Sequence, residues 1–501
     1  MQEAMEVFAQ LLRLDVALAV AIGAIGGVVI GAIPGVGPAV AIAILLPATF
    51  QFEPLVGITL LLGIYGASMF GGAVPAILIN TPGTPVNALT TYDGYAMTRR
   101  GEARRALSIA YSASFCGGVI SVACLLALSP YLARVAPYFG SRDIFMAALL
   151  GVVMVILAHR RQTVAAAMLV SAGMFLNTVG LEGVRFSHRF TFGQSWLNSG
   201  FDLITVILGL FAISQAFKLL VDRERPPPLP RMEPGGGGGM RALARHPRLA
   251  GVSSGFGVVM GIVPGVGEFL AQFFSYTFAQ RTSRNPDLIG RGSPEGLIAS
   301  EAANNAVPAA AMIPLLALGI PGEALTAMML SVFHVHGVIP GPKLFETQPH
   351  FLQSLFVVLL VINVLVILFL RFSTRWLVQV VRTPPRYLGI AVLTLSLVGV
   401  YSLRASLVDC AVAAAFGMLG FILRRLELPL VPLVLGMVLG RILDEKFRAS
   451  LARVETPFDF IDRPVSGTIF AIIVVSLLTH VIAVLREHRL RKAKAAGTVR
   501  P

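Results

Sequence analysis

Gly31-Ala-Ile-Pro34-Gly35-Val-Gly37 and Gly261-Ile-Val-Pro264-Gly265-Val-Gly267 repeat one glycine-proline phrase in two distant parts of the chain. Each copy lies inside an apolar stretch long enough for a membrane, where a helix breaker is costly. A second pair of breaks follows in the same order. Pro75-Ala-Ile-Leu-Ile-Asn80-Thr-Pro82-Gly83 is echoed by Pro314-Leu-Leu-Ala-Leu-Gly319-Ile-Pro321-Gly322, with equal spacing between the two prolines. Pro34 and Pro264 are 230 positions apart, and Pro82 and Pro321 are 239 apart. Two breakers per half, at nearly one offset, indicate an internal duplication. Paired breaks within hydrophobic segments also mark the place where a transporter builds its binding site.

Outward from these phrases the composition is that of a membrane protein. The 501 residues are 55% hydrophobic and only 13% charged, with a mean hydropathy of +0.78. Apolar runs of the roughly 20 residues a spanning helix needs recur from Val16 to Val484. The balance of 40 basic to 26 acidic residues gives a net charge of +14. On a soluble chain that excess suggests nucleic acid. Here the cations gather in short loops between apolar runs, which is the positive-inside bias, and no nucleic-acid partner is expected. Cys116, Cys124 and Cys410 lie in apolar surroundings without metal-ligand spacing and read as packing residues. Val16–Ile33 lacks the basic flank and cleavage site of a removable signal and reads as a retained first span.

The expected fold is all-α: a polytopic helical membrane protein with two homologous halves, each with broken Pro-Gly helices. Residues 1–222 read as the first transmembrane repeat and 249–485 as the second, with a basic tail at 486–501. Between them, 223–248 reads as a Pro/Gly-rich basic linker, because Arg225-Pro-Pro-Pro-Leu-Pro and Pro234 with its run of glycines hold no helix. Val16–Phe50 is too long for one ordinary span and fits a span plus a half-helix or hairpin. Thr90–Tyr95 reads as a polar segment leading to Arg99, Arg100, Arg104 and Arg105. Basic turns at Arg160-Arg161 and Arg424-Arg425 occupy similar places near the ends of the halves. If both face the cytoplasm, the repeats share one orientation; inverted repeats need opposite sides.

Broken helices in a bilayer expose backbone groups that only protein or a water-filled cavity can receive. A half-helix C-terminus offers carbonyls to a cation, and the next N-terminus offers N–H groups to a carboxylate. Pro34, Gly35, Gly37, Pro264, Gly265 and Gly267 are therefore candidate substrate or ion ligands, as are Pro82, Gly83, Pro321 and Gly322. A proline kink packed against its neighbours is the plainer reading of one Pro-Gly, but not of a duplicated pair. Ser68, Asn80, Thr81, Thr84 and Asn87 cluster around the first-half breaks; Asn304, Asn305 and Thr326 do so in the second. Their oxygens can ligate sodium and their donors can hold carboxylates, although interhelical hydrogen bonding explains any one of them. Glu268, Glu301 and Glu323 stand in or beside apolar sequence, where an acid is a functional hypothesis; Glu301 has capping as a rival role. His334 and His336 lack helical metal-pair spacing and read as loop residues near Gly337. No phosphate-binding loop, paired-His motif or Ser-nucleophile elbow appears, so no catalytic residue, metal or cofactor is expected.

Several of these motifs, taken in order, resemble the large permease subunit of tripartite tricarboxylate transporters. They are Gly31–Phe50, Asn80-Thr-Pro-Gly83, Asp93-Gly94-Tyr95 with Gly101–Leu107, Pro264–Gly267, Glu301-Ala-Ala-Asn304-Asn305-Ala306, Gly319–Gly322 and Gly337–Pro342. The resemblance covers most of Val16 to Ile442. It implies a secondary transporter in a bacterial inner membrane, surrounded by lipid and driven by a sodium or proton gradient. It also implies a smaller membrane subunit and a periplasmic binding protein that delivers a tricarboxylate-like solute. The sequence departs from the family picture at Glu268 and Glu323, where small residues are expected, and at Pro308-Ala309. Two acids at an anion site imply either a less anionic substrate or proton coupling through one of them. The alternative reading from another class is a channel or scaffold subunit whose breaks only shape a pore or an interface.

Overall fold

The computed structural model describes residues 7, 9–34, 36–135, 138–159, 162–182, 187–222, 237–265, 267–381, 383–451 and 455–495. Among them, nine helices are long and apolar enough to cross a membrane. Among the described residues, the regular structure is helical but for one short hairpin, Gly180–Leu181 with His188–Arg189. The first half comprises α1 (Leu14–Gly31), α2 (Gly37–Leu45), α3 (Pro54–Ile79), α4 (Ala88–Arg99) and α5 (Ala103–Val135). It closes with α6 (Ser141–Ala158), α7 (Thr163–Thr178) and α8 (Leu203–Val221). After α9 (Gly239–Arg245), the second half runs through α10 (Pro247–Ile262), α11 (Gly267–Thr282), α12 (Pro294–Leu318), α13 (Ala324–Val335) and α14 (Pro349–Val380). It closes with α15 (Pro385–Arg404), α16 (Leu407–Arg425) and α17 (Val431–Leu451), and α18 (Pro464–Ala495) follows.

Small residues set the packing inside each half. Gly23 meets Leu60 and Gly63, Gly27 meets Ile64 and Ala67, and Gly31 meets Ser68, so α1 and α3 run parallel. Small residues four apart let two helix backbones approach closely. α1 therefore ends level with the middle of α3, and α2 must carry the chain back to the face where both began. The stretch Val16–Phe50 is a hairpin whose tip, at the first Pro-Gly break, lies within the membrane. At the far end of α3, Asn80 takes φ 57°, a left-handed cap that Asn tolerates. The chain then turns inward: the Gly83 N–H donates to the Gly72 carbonyl at 3.2 Å, and α4 leaves again beside α3, with Gly94 on Ile77. The polar segment Thr90–Tyr95 thus lies within α4. The second half repeats the plan, with Gly257 on Ala303 and Gly261 on Val307 and Ala310. There the inward turn follows Gly319 (φ 70°) and brings Gly322 back onto Gly261 and Ala311.

Contacts between the halves fix their relative direction. Asn87 and Thr90 reach Glu301 while Asp93 reaches Gly292 and Ser293, so α4 is antiparallel to α12. Glu323 reaches Tyr65, while His336 abuts Gly57, so α13 is antiparallel to α3. The repeats are inverted. The basic turns do lie on one face, since the Gln162 amide donates to the Glu427 carbonyl at 2.8 Å; Arg160 and Arg161 are outside the described residues. They are not equivalent turns, however. One follows α6 and the other α16, whose counterparts are α15 and α7, so a shared face does not mean a shared orientation.

The two membrane faces differ in charge. One carries Arg99, Arg100, Arg104, Arg105, Arg241, Arg245, Arg248, Arg281, Arg284 and Arg291. By the positive-inside bias it is the cytoplasmic face. The opposite face holds several cations paired with acids: Arg13 with Asp15 and Glu53, Arg142 with Asp462, Arg404 with Asp202, and Arg448 with Glu182. There, hydrogen bonds from the Thr456 backbone and hydroxyl hold the Asp459 carboxyl below its ordinary range. Of the linker, 223–236 lies outside the described residues, and its later part is ordered as α9, whose Gly239 N–H donates to Ser108 Oγ at 3.0 Å. α3 and α12, buried almost throughout, form the centre of the molecule, whereas α18 is nearly bare.

Candidate functional site

Four chain breaks converge on the middle of α3 and α12. In the first half, a side-chain carbon added at Gly83 would fall 2.1 Å from the Gly31 carbonyl oxygen and 2.8 Å from the Gly72 Cα. Only glycine allows that approach. In the second half, Gly265 (φ 83°) donates its N–H to the Gly322 carbonyl at 2.6 Å, and Pro264 packs on Gly151 of α6. Gly37 and Gly267 open the half-helices α2 and α11 at φ 60° and 66°. Pro34 and Pro82 are half-buried, while Pro321 is buried behind Gly322. Gly35 lies outside the described residues.

The inverted arrangement creates two corresponding polar clusters where a re-entrant helix of one half meets the central helix of the other. In the first, Glu301 of α12 is fully buried and surrounded by donors. Its carboxylate accepts from Asn87 at 3.2 Å, from Ser114 at 2.9 Å, from Asn305 at 3.3 Å, and from Thr90. Asn305 also donates to Ser114 at 2.8 Å, and Thr84 donates to Asn87. A buried carboxylate needs this many donors to be tolerated. Capping of α12 falls instead to Ser293, which accepts the Glu295 N–H at 3.2 Å.

The second cluster is organised differently. Glu323 caps α13, with its own N–H donating to Thr326 Oγ1 at 2.9 Å, and Tyr65 of α3 donates its hydroxyl to the Glu323 carboxyl. Glu268, in the first turn of α11, lies beside Glu323: the Gly265–Gly322 hydrogen bond joins the tips that carry them, and a side-chain carbon added at Gly267 would fall 3.6 Å from the Glu323 Cβ. Both glutamates are buried, at 5% and 6% exposure. Among the buried polar atoms with no partner among the described residues are Glu268 Oε1, both amide atoms of Gln272 one helical turn along α11, and both of Asn304 on α12. Buried polar atoms left unpaired cost about 1–3 kcal/mol each, which makes this the costly part of the core.

Among the other residues the sequence singled out, Ser68 donates back to the Tyr65 carbonyl at 2.9 Å, and its own backbone receives Gly31. Asn80 is not brought to the site. It is exposed at the cytoplasmic end of α3, because the chain needs a left-handed cap there before it can turn inward. His334 lies in the last turn of α13, and His336 Nε2 is 3.0 Å from Thr49 Oγ1 on the opposite face; among the described residues no group of acids, histidines and cysteines is placed to hold a metal. The three cysteines are free thiols. Tyr65, Ser114 and Gln272 were not legible as site residues, though Gln272 stands one helical turn beyond Glu268. A joint at the cytoplasmic end supports the clusters. Asp93 accepts the N–H groups of Gly290, Gly292 and Ser293 at 2.9, 2.8 and 2.6 Å, and the Tyr276 hydroxyl at 2.6 Å.

An all-helical chain with inverted halves and opposed re-entrant segments meeting at a buried polar centre defines a multi-pass membrane permease. The chain matches the tripartite tricarboxylate transporter TctA family over residues 17–435 and belongs to it. It is thus the membrane permease component of a transporter that works with other components, and a multi-pass bacterial membrane protein. It is 35% identical over 483 residues to an uncharacterized 52.8 kDa protein in the TAR-I ttuC' 3' region of Agrobacterium vitis, covering 94% of each chain. It is 32% identical over 236 residues to an uncharacterized protein in the TAR-II ttuC' 3' region of the same organism, covering 46% of this chain and 97% of the relative. No solved structure matches it.

Proposed function

We propose that the chain is an ion-gradient-driven secondary transporter subunit that imports a small carboxylate handed to it by a periplasmic binding protein. A smaller membrane subunit completes the assembly. The observation that carries this reading is the meeting of two inverted pairs of re-entrant segments on the central helices, with unpaired buried amides at Asn304 on α12 and Gln272 on α11. Those amides can hold a carboxylate through their N–H groups or a cation through their oxygens. Displacement of one half's segments against the other would open the centre alternately to each face.

A specific observation favours a solute with fewer negative charges than a tricarboxylate. The Asn87 and Thr90 side chains at the start of α4 are already served by the Glu301 carboxylate, and the N3 backbone N–H of α13 by the Glu323 side chain. The chain's own acids thus occupy two helix starts that would otherwise attract an anion. The test is uptake of labelled mono-, di- and tricarboxylates into vesicles holding the chain with its small subunit and binding protein. Gradient-dependent accumulation of one acid is the expected result. Equilibration without accumulation would point to a channel, and silence across the panel would reject a carboxylate cargo.

A further inference from the structure

Glu268 and Glu323 face one another from two different breaks, and this juxtaposition is not explained by capping or packing. Two buried carboxyl groups set side by side can bond to one another only if one of them carries a hydrogen, because ionised carboxylates only accept. Tyr65 already spends its one hydroxyl hydrogen on Glu323, so it cannot supply the hydrogen shared between the acids. We infer that Glu268 and Glu323 hold one exchangeable proton between them and that this pair is the coupling site of the transporter proposed above.

The surroundings fit that role. From α3 comes Tyr65, and Gln272 stands one helical turn from Glu268 on α11; Glu301 of α12 is engaged by its own four donors. The neighbouring segments Gly37–Leu45 and Leu203–Ile207 contain no titratable residue, and α6 presents Gly151 and Val155 to the break. Arg441 and Glu445 of α17 act on His334, at the other end of α13 and about 16 Å away by helical rise. Neither glutamate has an ion pair among the described residues. A buried acid pair without a cation is held together by a proton rather than by a salt bridge.

The location links the proton to movement. Glu268 sits directly after the break at Gly265, and Glu323 directly after Gly322, and the Gly265–Gly322 hydrogen bond joins the two tips. With the proton in place the pair carries one negative charge and the tips stay joined. When the proton leaves to water on one face, two carboxylates repel and an approaching anion is repelled with them. Proton binding therefore precedes anion binding, and proton release accompanies anion release.

This inference rests on the permease reading for its coupling role but not for the shared proton, so two arms separate the failures. The first is infrared spectroscopy of the full chain in membranes at neutral pH. The carbonyl-stretch band of a protonated, buried carboxylic acid is expected in the natural protein, lost in both Glu268→Gln and Glu323→Gln, and kept in Glu301→Gln. Absence of the band, or its survival in both single variants, overturns the shared proton. The second arm is carboxylate uptake by the assembled transporter under an inside-alkaline pH gradient. Glu268→Gln is expected to lose accumulation by at least ten-fold while still exchanging labelled for unlabelled solute. Undiminished proton-driven accumulation in both variants overturns the coupling role and leaves the permease reading standing. If the band behaves as expected while no carboxylate exchanges in the natural protein, the shared proton stands and the carboxylate reading falls.

Discussion

The cluster around Glu301 and the cluster around the Glu268–Glu323 pair form where a re-entrant helix of one half meets the central helix of the other, yet their surroundings differ. Glu301 has a donor for each direction in which its oxygens can accept. The other cluster has two acids, one side-chain donor, Tyr65, and an unpaired Glu268 oxygen, with the unpaired Gln272 amide one turn along α11. Saturation makes the first a joint that holds α4, α5 and α12 together. Incomplete satisfaction makes the second a place where an ion or solute gains energy by binding, because the cost of the unpaired groups has already been met.

The largest effect should come from breaking the saturated joint. Glu301→Leu strands the donors of Asn87, Thr90, Ser114 and Asn305 in a buried site. At about 1–3 kcal/mol for each stranded donor, we expect a loss of about 3 kcal/mol or more, read as a lower unfolding temperature in detergent. An unchanged unfolding temperature would mean that the joint holds nothing together.

Next in size is the close approach of the breaks. An added carbon at Gly31 would lie 2.2 Å from the Ser68 backbone oxygen, whereas at Gly261 the nearest atom is the Ala310 side chain at 2.9 Å. Gly31→Ala should therefore cost about 2–3 kcal/mol and Gly261→Ala about 1 kcal/mol, within the usual range for overpacking. Comparing the yield and melting of the two variants checks this, and equal behaviour would show that the tips are packed alike.

Tyr65→Phe removes the one hydroxyl given to Glu323. About 1 kcal/mol of stability is expected to be lost, together with a changed pH profile of uptake. A profile identical to that of the natural protein would separate Tyr65 from the coupling site.

The smallest change in stability should follow Asn304→Leu. Its amide has no partner among the described residues, so replacing it with an apolar group of similar size is expected to alter stability by less than about 1 kcal/mol. Uptake, by contrast, should fall at least ten-fold. Normal uptake would remove Asn304 from the binding centre and leave the contrast between the clusters without a functional meaning.

Much of this architecture was legible in the residues. The duplicated Pro-Gly phrases located all four breaks, because proline and glycine restrict backbone geometry in ways that do not depend on tertiary context. Orientation was less legible. The turns at Arg160-Arg161 and Arg424-Arg425 look equivalent along the chain, but they terminate helices that do not correspond. Asn80 was misleading for a local reason: a polar residue beside a break can serve as a ligand or as a left-handed cap, and only the fold distinguishes them. Thr90–Tyr95 was legible as a polar segment but its partners were not: in the fold Thr90 meets Glu301 and Asp93 meets the N–H groups of Gly290, Gly292 and Ser293. Tyr65 sits in an apolar run, where an aromatic ordinarily marks packing. Its hydroxyl acquires a role only when α13 arrives from the other half.

The inversion of the repeats has a consequence for how the chain is inserted. Each half brings five full crossings, α3, α5, α6, α7 and α8 in the first and α12, α14, α15, α16 and α17 in the second, so each half ends on the side opposite to its start. Two copies of one sequence must therefore thread through the bilayer in opposite senses. Only their flanking charges can instruct them to do so. The arginines after α4, from Arg99 to Arg105, have as their counterpart after α13 a stretch with Lys343 as its one Lys or Arg. Conversely, the three arginines at the entrance to α10 replace the lone, acid-paired Arg13 at the entrance to α1. The loops, and not the helices, thus hold the threading instructions, and exchanging their charges should disturb insertion before it disturbs packing.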